Sequence, residues 1–476
     1  MVDGKVLAAR FAGAADFETR KVISGGNELE IFFLDGLTSS GDIADFIVRP
    51  LHEARQDERE ETLFTRAERG LVWCASMKKA SSTDEAAELL VNGFCVILFP
   101  KSGKALGCEV KTGEKRSPSA PEAENTVKGA KDAFTETLRT NTSLIRRHLR
   151  TPELRLEESV VGRRSLTKVT VCWVEGLTDP ELPARMKKRL GEIDIDGLLS
   201  PAAVEEYVTG SRKTAFPLLE FTERTDHFCQ GLLDGQVGLL VDGLPIGYLA
   251  PVSFGRLMRS PEDRATDYLS ASMLRILRYL ALGVSLLLPG IYAAMAMFHQ
   301  QMLPTKLLLS IIESKQDVPF STLFEVVGLL CAFELLQQAG LHLPQAIGTA
   351  VSIIGGLVVG TAAVDAKLVS PAALIVTASS GICGFTLPNR ELSDALRLWR
   401  LGLTVLGGVF GLFGVTAGLL LLLIKLAGLE SLGRSYLAPF GEAEVKGALV
   451  RERLAEQKWR DGTLRPLDER NQRCRF

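Results

Sequence analysis

The chain has 476 residues, which is too long for one ordinary globular core and predicts two or three structural units. Its 55 basic and 57 acidic residues give a net charge of -2. This balance excludes a strongly basic nucleic-acid-binding protein and a highly charged disordered chain. We therefore expect no nucleic-acid partner.

Charged residues are distributed unevenly along the sequence. Between Leu280 and Ile424 only 13 of 145 residues are charged, whereas charged residues make up 24% of the whole chain. A bilayer interior disfavours charge, and a helix needs about 20 mostly apolar residues to cross it. The distribution predicts a charge-rich soluble region followed by a membrane region.

The sequence shows no pattern typical of a catalytic or metal-binding site. The G-x-S-x-G, H-E-x-x-H and G-x-G-x-x-G patterns are absent, and Asp42 stands where a phosphate-binding loop needs lysine. The eight cysteines are scattered, without a C-x-x-C pair, so neither a disulfide framework nor a zinc site is expected. We predict a protein that is not an enzyme and has no catalytic residues, metal ligands or cofactor.

The soluble region contains an internal repeat. An apolar strand that ends in an acidic residue, glycine and leucine occurs at Ile31–Leu37 and again at Val171–Leu177. A second pair of apolar strands, Gly93–Phe99 and Gly235–Val241, has almost the same offset. The repeat predicts two homologous α/β subdomains, at residues 1–118 and 151–270, each a small sheet with helices packed on it.

A linker that contains a basic helix is predicted between the two subdomains, at residues 119–150. The helix carries Arg139, Arg146, Arg147 and Arg150. A helix of this kind is most simply a solvated surface. It is also a candidate docking surface for anionic membrane lipids or for a neighbouring subunit.

Four charge-free apolar runs predict membrane-spanning helices within a domain at residues 271–426, before a charged tail at 427–476. A fifth candidate, Ser321–Leu341, contains two glutamates and needs protein or water around them. The predicted fold class is an α/β soluble region of two duplicated subdomains followed by an α-helical polytopic membrane domain with four or five apolar segments. The four charge-free runs are Leu280–Phe298, Leu343–Val364, Leu368–Asn389 and Leu401–Ile424.

Small residues recur four positions apart within the apolar runs. This spacing is typical of helices whose backbones approach closely in lipid. It predicts tight helix packing, either within one chain or between subunits. The residues concerned are Ser352, Gly356, Gly360, Gly407, Gly411, Gly414 and Gly418.

Basic residues predict the orientation of the chain in the membrane. Arg275 and Arg278 precede the first run, and three arginines at 390–400 precede the last, so both positions are expected in the cytoplasm. The first twenty residues have no secretory signal, so the soluble region is also expected there. Five crossings would place the basic tail on the opposite side. Either one run is re-entrant or interfacial, or the tail departs from the rule.

Three carboxylates in the membrane region, those of Glu325, Glu334 and Asp365, are candidates for an ion path. A carboxylate repeated around a ring of subunits would form a charged collar that attracts cations. The alternative is that each carboxylate forms an ion pair with a lysine at position 306, 315 or 367. The prolines that bracket the apolar runs are ordinary loop residues or, alternatively, let residues 304–320 pack over a pore mouth.

Several short motifs occur along the chain. Within the membrane region, the motifs include Pro304, Thr305, Pro319, Phe320, Ser370, Pro371 and Pro388. The longer stretches are Phe298–Ile311, Gly360–Ala366, Tyr436–Phe440, Asn141–Arg147, Val161–Arg164, Ile193–Gly197 and Ser260–Asp263. Together these motifs resemble those of the GerA family, the A subunits of spore germinant receptors, and they occur in the family's order between about residues 28 and 440.

The resemblance implies a protein of the spore inner membrane that acts with a transporter-like B subunit and a lipoprotein C subunit. In that family, A subunits are thought to assemble into a ring that conducts ions after the B subunit has bound a nutrient. A related branch, the stage V sporulation AF proteins, acts as a non-sensing accessory. Lys306 and Leu330 depart from the residues usual in the family, which makes the accessory branch a second hypothesis. A secondary transporter is a third, but the membrane region shows no inverted sequence repeat.

Overall fold

The computed structural model describes residues 1–54, 58–111, 121, 124, 128–210, 214–342, 360–440 and 446–471. Two five-stranded antiparallel sheets form the soluble region, and long apolar helices follow them in the chain. Each sheet has helices on both faces, because two separate groups of buried apolar side chains pack against it.

The first sheet has the strand order β1-β2-β4-β5-β3. Its strands are β1 (Phe17–Ser24), β2 (Asn27–Leu34), β3 (Met77–Ala80), β4 (Phe94–Phe99) and β5 (Lys104–Glu109). The accompanying helices are α1 (Gly4–Arg10), α2 (Ser40–Asp42), which continues through a π-helical turn (Ile43–Val48) into α3 (Arg49–His52), then α4 (Glu60–Arg66) and α5 (Thr83–Val91). We call this unit repeat 1.

The second sheet has the strand order β6-β7-β9-β10-β8. Its strands are β6 (Leu154–Val161), β7 (Thr167–Val174), β8 (Glu220–Thr222), β9 (Val237–Val241) and β10 (Gly247–Ala250). Its helices are α6 (Leu138–His148), α7 (Glu181–Gly191), α8 (Pro201–Thr209) and α9 (Thr225–Asp234). We call this unit repeat 2.

The two repeats share one topology, because each sheet connects its strands in the same order and places its helices at corresponding points. The central strands β4 and β9 are buried along their whole length. A strand covered on both faces is expected to be continuously apolar, which is the pattern that revealed the repeat in the sequence. The predicted fold class, two duplicated α/β subdomains followed by membrane helices, is confirmed.

Helix α6 packs as the first helix of repeat 2, although the sequence suggested that it belonged to a linker. Leu138, Ile145 and Leu149 lie in one apolar core with Phe228 of α9. The helix occupies the position that α1 occupies in repeat 1, directly before the first strand. Its amphipathic pattern is therefore explained by burial in a core rather than by a solvated connection.

A buried ion pair joins α6 to repeat 1. Arg146 is 1% exposed, and its Nε and Nη2 donate to the two carboxylate oxygens of Asp16 at 2.7 and 2.9 Å. This bidentate geometry is the strongest arrangement for an arginine and a carboxylate. The prediction that Arg146 docks onto lipid or a partner is wrong, because the side chain lies inside the protein.

Replacing Arg146 by Met should destabilise the soluble region by about 3 to 5 kcal/mol, because it leaves the buried Asp16 carboxylate without its partner. The neighbouring Arg147→Met change should alter stability by less than about 0.5 kcal/mol, since Arg147 is exposed. Urea unfolding of the full chain in detergent, followed by tryptophan fluorescence, measures both. Equal effects of the two substitutions would contradict the assignment.

The membrane region is helical. Two short helices, α10 (Phe254–Leu257) and α11 (Glu262–Ala265), lead into it. Its helices are α12 (Tyr268–Met297), α13 (Thr305–Lys315), α14 (Thr322–His342), α15 (Pro371–Phe385) and α16 (Arg390–Ala427). In the described part of the chain, three of them, α12, α14 and α16, are long and apolar enough to cross a membrane. Most of the run Leu343–Val364 lies outside the described residues.

Helix α16 is a hairpin of two helical arms rather than one rod. Gly411 interrupts it with φ +65° and ψ −152°, a conformation that residues with a side chain rarely adopt. A Cβ atom on Gly414 would lie 2.1 Å from the carbonyl oxygen of Leu406, and the ammonium of Lys425 lies 5.8 Å from the ring centre of Trp399. These contacts require antiparallel arms. The expectation of a single span at 401–424 is therefore wrong.

The hairpin returns the chain to the soluble region. The tail after α16 forms a small sheet, β11 (Glu430–Ser431) with β12 (Arg434–Ser435), and then a short helix, α17 (Lys446–Leu449). Ser431 Oγ donates to the carbonyl of Leu218 at 2.6 Å, and the amide of Leu467 donates to the carbonyl of Leu177 at 2.8 Å. The tail and the soluble region therefore lie on the same side of the membrane helices, as the tail's basic residues indicate.

A buried carboxylate connects the soluble region to the first membrane helix. Asp263 is 2% exposed, and the guanidinium groups of Arg275 and Arg278 on α12 lie 3.2 and 2.8 Å from its oxygens. Arg451 of the tail donates to the carbonyls of Asp263 and Thr266. Asp263 thus joins α11, α12 and the tail. We call the cluster of Asp263, Arg275, Arg278 and Arg451 the joint.

A second carboxylate, that of Asp234 at the end of α9, is 17% exposed and stabilises the approach to the joint. Its Oδ2 lies 3.2 Å from Nη2 of Arg256 and 3.1 Å from Nη2 of Arg264. Burial alone would raise the pKa of Asp234, but the two guanidinium groups outweigh burial and lower the pKa to about 2.

Acidification should therefore destabilise the soluble region through Asp234. Its folded pKa lies below the ordinary value of about 3.9, so its contribution is complete above about pH 4 and is lost as the pH falls towards 2. We expect a loss of about 2 to 3 kcal/mol, measured by urea unfolding between pH 6 and pH 2. Asp234→Asn should remove this part of the pH dependence, whereas Asp194→Asn, at an exposed carboxylate, should retain it. Parallel pH profiles for Asp234→Asn and the unmodified chain would contradict the prediction.

Candidate functional site in the membrane region

Glu325, in the first turn of α14, lies in a buried polar cluster. The residue is 2% exposed, and its Oε2 accepts hydrogen bonds from the backbone amide and the hydroxyl of Ser370 at 3.1 and 2.8 Å. The ammonium of Lys315 lies 3.1 Å from its other oxygen. Lys315 was one of the lysines named as an alternative partner, so this carboxylate is paired within the chain.

The cluster around Glu325 also fixes the start of α15. Ser370 is the N-cap residue, and its hydroxyl accepts a hydrogen bond from the amide of Ala373. Pro371 takes the first helical position, where its missing amide hydrogen leaves no intrahelical bond unmade. Ser370 and Pro371 thus begin a helix, and Ser370 also holds the buried carboxylate of Glu325.

Glu334, in the middle of α14, is held by two arginines of α16. Arg400 Nη2 donates to its Oε1 at 2.6 Å, and Arg397 Nη1 donates to its Oε2 at 3.2 Å. The lysines considered from the sequence are not its partners. Arg400 is 4% exposed, whereas the Glu334 side chain is 36% exposed, so the protein encloses the arginine but only part of the carboxylate.

The pair between Glu334 and Arg400 lies within the apolar zone. Nη1 of Arg400 is 3.5 Å from Oγ of Ser380, and this hydroxyl donates to the carbonyl of Ser285 at 2.7 Å. Ser285 belongs to the charge-free run of α12. An unpaired charge at this depth costs roughly 2.5 to 3.5 kcal/mol on insertion scales. Glu334 and its arginines therefore tie together α12, α14, α15 and α16.

The third candidate, Asp365, is exposed and is the last residue of a helical stretch at 360–365. The neighbouring Lys367 pairs with Asp317, in the loop before α14. The three carboxylates are therefore in different surroundings: Glu325 is buried and paired, Glu334 is partly exposed and paired, and Asp365 is exposed. The structure does not bring them together into one site.

The bracketing prolines lie at helix starts. Pro304 immediately precedes α13, whose first residue is Thr305. Pro319 and Phe320 form the connection to α14, where the Phe320 ring is 54% exposed, and Pro388 lies two residues before α16. These positions suit residues with a fixed φ that cannot continue a preceding helix.

The small residues have several distinct packing partners. A Cβ on Gly407 would lie 2.4 Å from the carbonyl oxygen of Gly290 in α12, so the two backbones touch there. Gly414 and Gly418 face the opposite arm of the hairpin. Gly360 faces Leu374 of α15, while Ser352 and Gly356 lie outside the described residues. Gly411 has a different role from the one predicted, because it forms the turn and lies against His299.

The basic docking candidates also separate into groups. Arg139 forms an ion pair with Asp35 of repeat 1, and Arg146 is buried as described above. Arg147 and Arg150 are exposed near the end of α6. Arg139 is exposed as well, so these three keep the surface position that a docking role requires and Arg146 does not.

Sequence reasoning missed the arginines that pair with Glu334. Arg397 and Arg400 were read only as a sign of cytoplasmic orientation. Their spacing of three residues places them on one face of a helix, which could have indicated a shared partner. The partner itself is more than 60 residues away in the sequence, and nothing local identifies it.

Neutralising either member of the Glu334 and Arg400 pair should lower the thermal stability of the full chain in detergent. The double substitution Glu334→Gln with Arg400→Gln should cost less than the sum of the single changes, by about 1 to 3 kcal/mol of coupling. Glu313→Gln, at an exposed carboxylate of α13, should combine additively with Arg400→Gln. If the effects of Glu334→Gln and Arg400→Gln on stability were also additive, the ion pair would have no coupling energy, which would contradict the prediction.

Comparison with known proteins identifies one family that matches both the soluble region and the membrane region of this chain. The sequence profile described as Bacillus/Clostridium GerA spore germination protein matches residues 5–463, which include both repeats, the membrane helices and most of the tail. The first domain of the A subunit of the Bacillus megaterium spore germinant receptor GerK3 is a similar solved structure. It is 24% identical, with a TM-score of 0.41, over 52% of this chain and 93% of that one.

Three relatives illustrate the range of the similarity. The uncharacterized membrane protein YfkQ of Bacillus subtilis is 35% identical over 91% of this chain and 85% of its own length. Spore germination protein KA of the same organism is 34% identical, over 89% and 78%. Stage V sporulation protein AF, also from Bacillus subtilis, is 28% identical, over 96% and 93%. With its duplicated soluble region and apolar helices, the chain belongs to the GerA family of spore germination proteins.

Proposed function

We propose that this chain is an A subunit of a spore germinant receptor. In this role it couples nutrient sensing by partner subunits, a transporter-like B subunit and a lipoprotein C subunit, to cation release through an oligomeric membrane channel. The observation that carries the proposal is the family match over residues 5–463, which includes the soluble region and the membrane helices together. The chain acts without catalysis, in the spore inner membrane, with its soluble region in the cytoplasm.

The joint supports a coupling role. Asp263 contacts two arginines of α12 and lies at the end of repeat 2, so a displacement of the repeat is passed directly to a membrane helix. The tail adds a second connection, since Arg451 binds the same segment and also contacts Ser272. A subunit that converts binding elsewhere into a membrane event needs a rigid connection of this kind.

Polar groups inside the membrane region support a path for ions. Glu325 and Glu334 are ionisable residues within apolar helices, and such residues are usually functional because they are costly to bury. The pair of Glu325 with Lys315 lies beside Ser370, close to the start of α15. A shift of Lys315 would leave this carboxylate available to a cation.

The accessory role remains the second candidate, and the similarity to stage V sporulation protein AF favours it. That relative matches 96% of this chain, so the two roles share one architecture. Deleting the gene separates them. A receptor subunit is needed for the response to one nutrient or a group of nutrients, whereas an accessory protein changes the rate of germination with every nutrient.

Spores that carry Glu325→Gln should release cations more slowly after nutrient addition, because the neutral amide attracts cations less than a carboxylate does. The expected change is about tenfold or more in the initial rate, followed by flame photometry of released potassium. The amount of protein in the membrane fraction, measured by immunoblot, should stay the same.

Glu313→Gln is the matched control for this experiment, because Glu313 is an exposed carboxylate on the adjacent helix α13. It should leave cation release unchanged. Normal release in Glu325→Gln spores would exclude Glu325 from the ion path. A fall in membrane protein together with a fall in release would assign Glu325 to folding instead.

A further inference from the structure

Two carboxyl groups meet where repeat 2 packs against the first arm of the hairpin. Glu205 lies on α8, and Glu391 lies in the first turn of α16. The adjacent Leu392 shares an apolar core with Leu218, just before β8, and with Tyr436 of the tail, so the start of α16 is fixed against the soluble region. In this contact the carboxyl groups of Glu205 and Glu391 lie within hydrogen-bonding distance of each other.

The protein supplies no positive charge to this pair. Among the described residues, no lysine, arginine or histidine lies within ion-pair distance of Glu205 or Glu391. Arg397, on the same helix as Glu391, pairs with Glu334 and Asp394 instead. Two carboxylates this close repel each other strongly, unless a proton or a cation lies between them.

Three buried oxygens at this contact lack hydrogen-bond partners within the described part of the chain. They are Oε2 of Glu391 and the hydroxyl oxygens of Tyr248 and Tyr436. Both tyrosines are 0% exposed. Burial is the main cause of the raised pKa of each tyrosine, but the charge of Glu391 adds to it in both cases and the charge of Glu205 adds to it at Tyr248. The two hydroxyls therefore lie close to the carboxyl pair.

A shared proton explains only part of this arrangement. It lets one carboxyl group donate to the other, but it leaves the three buried oxygens without partners, which is unfavourable. A hydrated cation neutralises both carboxylates, and its water molecules can hydrogen-bond to the tyrosine hydroxyls. Carboxylate and neutral oxygens are the ligands of hard divalent cations, and calcium accepts an irregular set of six to eight oxygens that includes water. Glu205 is only partly buried, so an ion can enter from solvent.

We propose that Glu205 and Glu391 bind a calcium ion, with Tyr248 and Tyr436 holding its water ligands. The ion joins α8 of repeat 2 to the start of α16, so it ties the soluble region to the hairpin at a second point in addition to the joint. Loss of the ion leaves two facing carboxylates, whose repulsion loosens this contact. The site does not depend on the proposed receptor role, since binding is measured on the purified chain.

Thermal unfolding of the full chain in detergent at about pH 7, after a chelator has removed metal ions, tests the proposal. Calcium chloride should raise the Tm by about 3 °C or more, because a ligand that binds only the folded state stabilises it. Magnesium chloride should raise the Tm less, since magnesium requires near-ideal octahedral geometry. Potassium chloride at the same ionic strength should leave the Tm unchanged. Calorimetric titration with calcium should give one site per chain.

The double substitution Glu205→Gln with Glu391→Gln should abolish the rise in Tm with calcium. Without calcium, the Tm of this variant should equal or exceed that of the unmodified chain, because the repulsion between the carboxylates has been removed. This second measurement distinguishes loss of the site from a failure to fold. The matched control, Glu158→Gln with Glu206→Gln, removes two exposed carboxylates of repeat 2 and should keep the full rise with calcium.

Four results would overturn the proposal. An equal rise with calcium in the two double variants would place the ion elsewhere, and an equal rise with potassium would show screening alone. A rise with magnesium as large as that with calcium would contradict the assignment to calcium. A lower Tm of the Glu205→Gln and Glu391→Gln variant without calcium would show that the carboxyl pair stabilises the contact by itself, through a shared proton. Each result would leave the family assignment and the proposed receptor role unaffected.

Discussion

The reversal of the chain at Gly411 is the constraint on which the rest of the architecture depends. Backbone that leaves the helix at membrane depth is tolerated only where protein or water surrounds it. Gly411 meets this condition because it packs against Phe298 and His299 at the end of α12. The turn makes two arms from one apolar run and returns the tail to the side on which the chain entered. Without it, the tail could not reach repeat 2 or the joint.

The joint and the hairpin together make the soluble region and the membrane helices mechanically continuous. Repeat 2 contacts α12 through Asp263, and the second arm of the hairpin continues directly into the tail that packs on repeat 2. Leu403 and Leu422, one from each arm, share an apolar core with Phe254 and Tyr436 from outside the membrane. A movement of repeat 2 therefore acts on both the first and the last membrane helices.

The sequence predicted those features that depend on local periodicity and failed where distant contacts decide. The repeat was visible because β4 and β9, buried on both faces, must be continuously apolar. Helix α6 was assigned to a linker because its basic residues resemble a solvated face, and only the tertiary structure shows Arg146 buried against Asp16. The hairpin was missed because apolar composition alone does not distinguish one long span from two arms. The glycines that form and pack the turn have the same spacing as ordinary packing residues.

The return of the tail has a consequence for how the protein is made. Residues of the tail supply hydrogen bonds to Leu177 and Ser272, which leave the ribosome nearly 300 and 180 residues earlier respectively. Domains generally fold in the order of synthesis, but these contacts cannot form until the hairpin has been inserted. Repeat 2 therefore completes its surface only after the membrane helices are in place. Assembly in this order makes a fully folded soluble region a sign that insertion has succeeded.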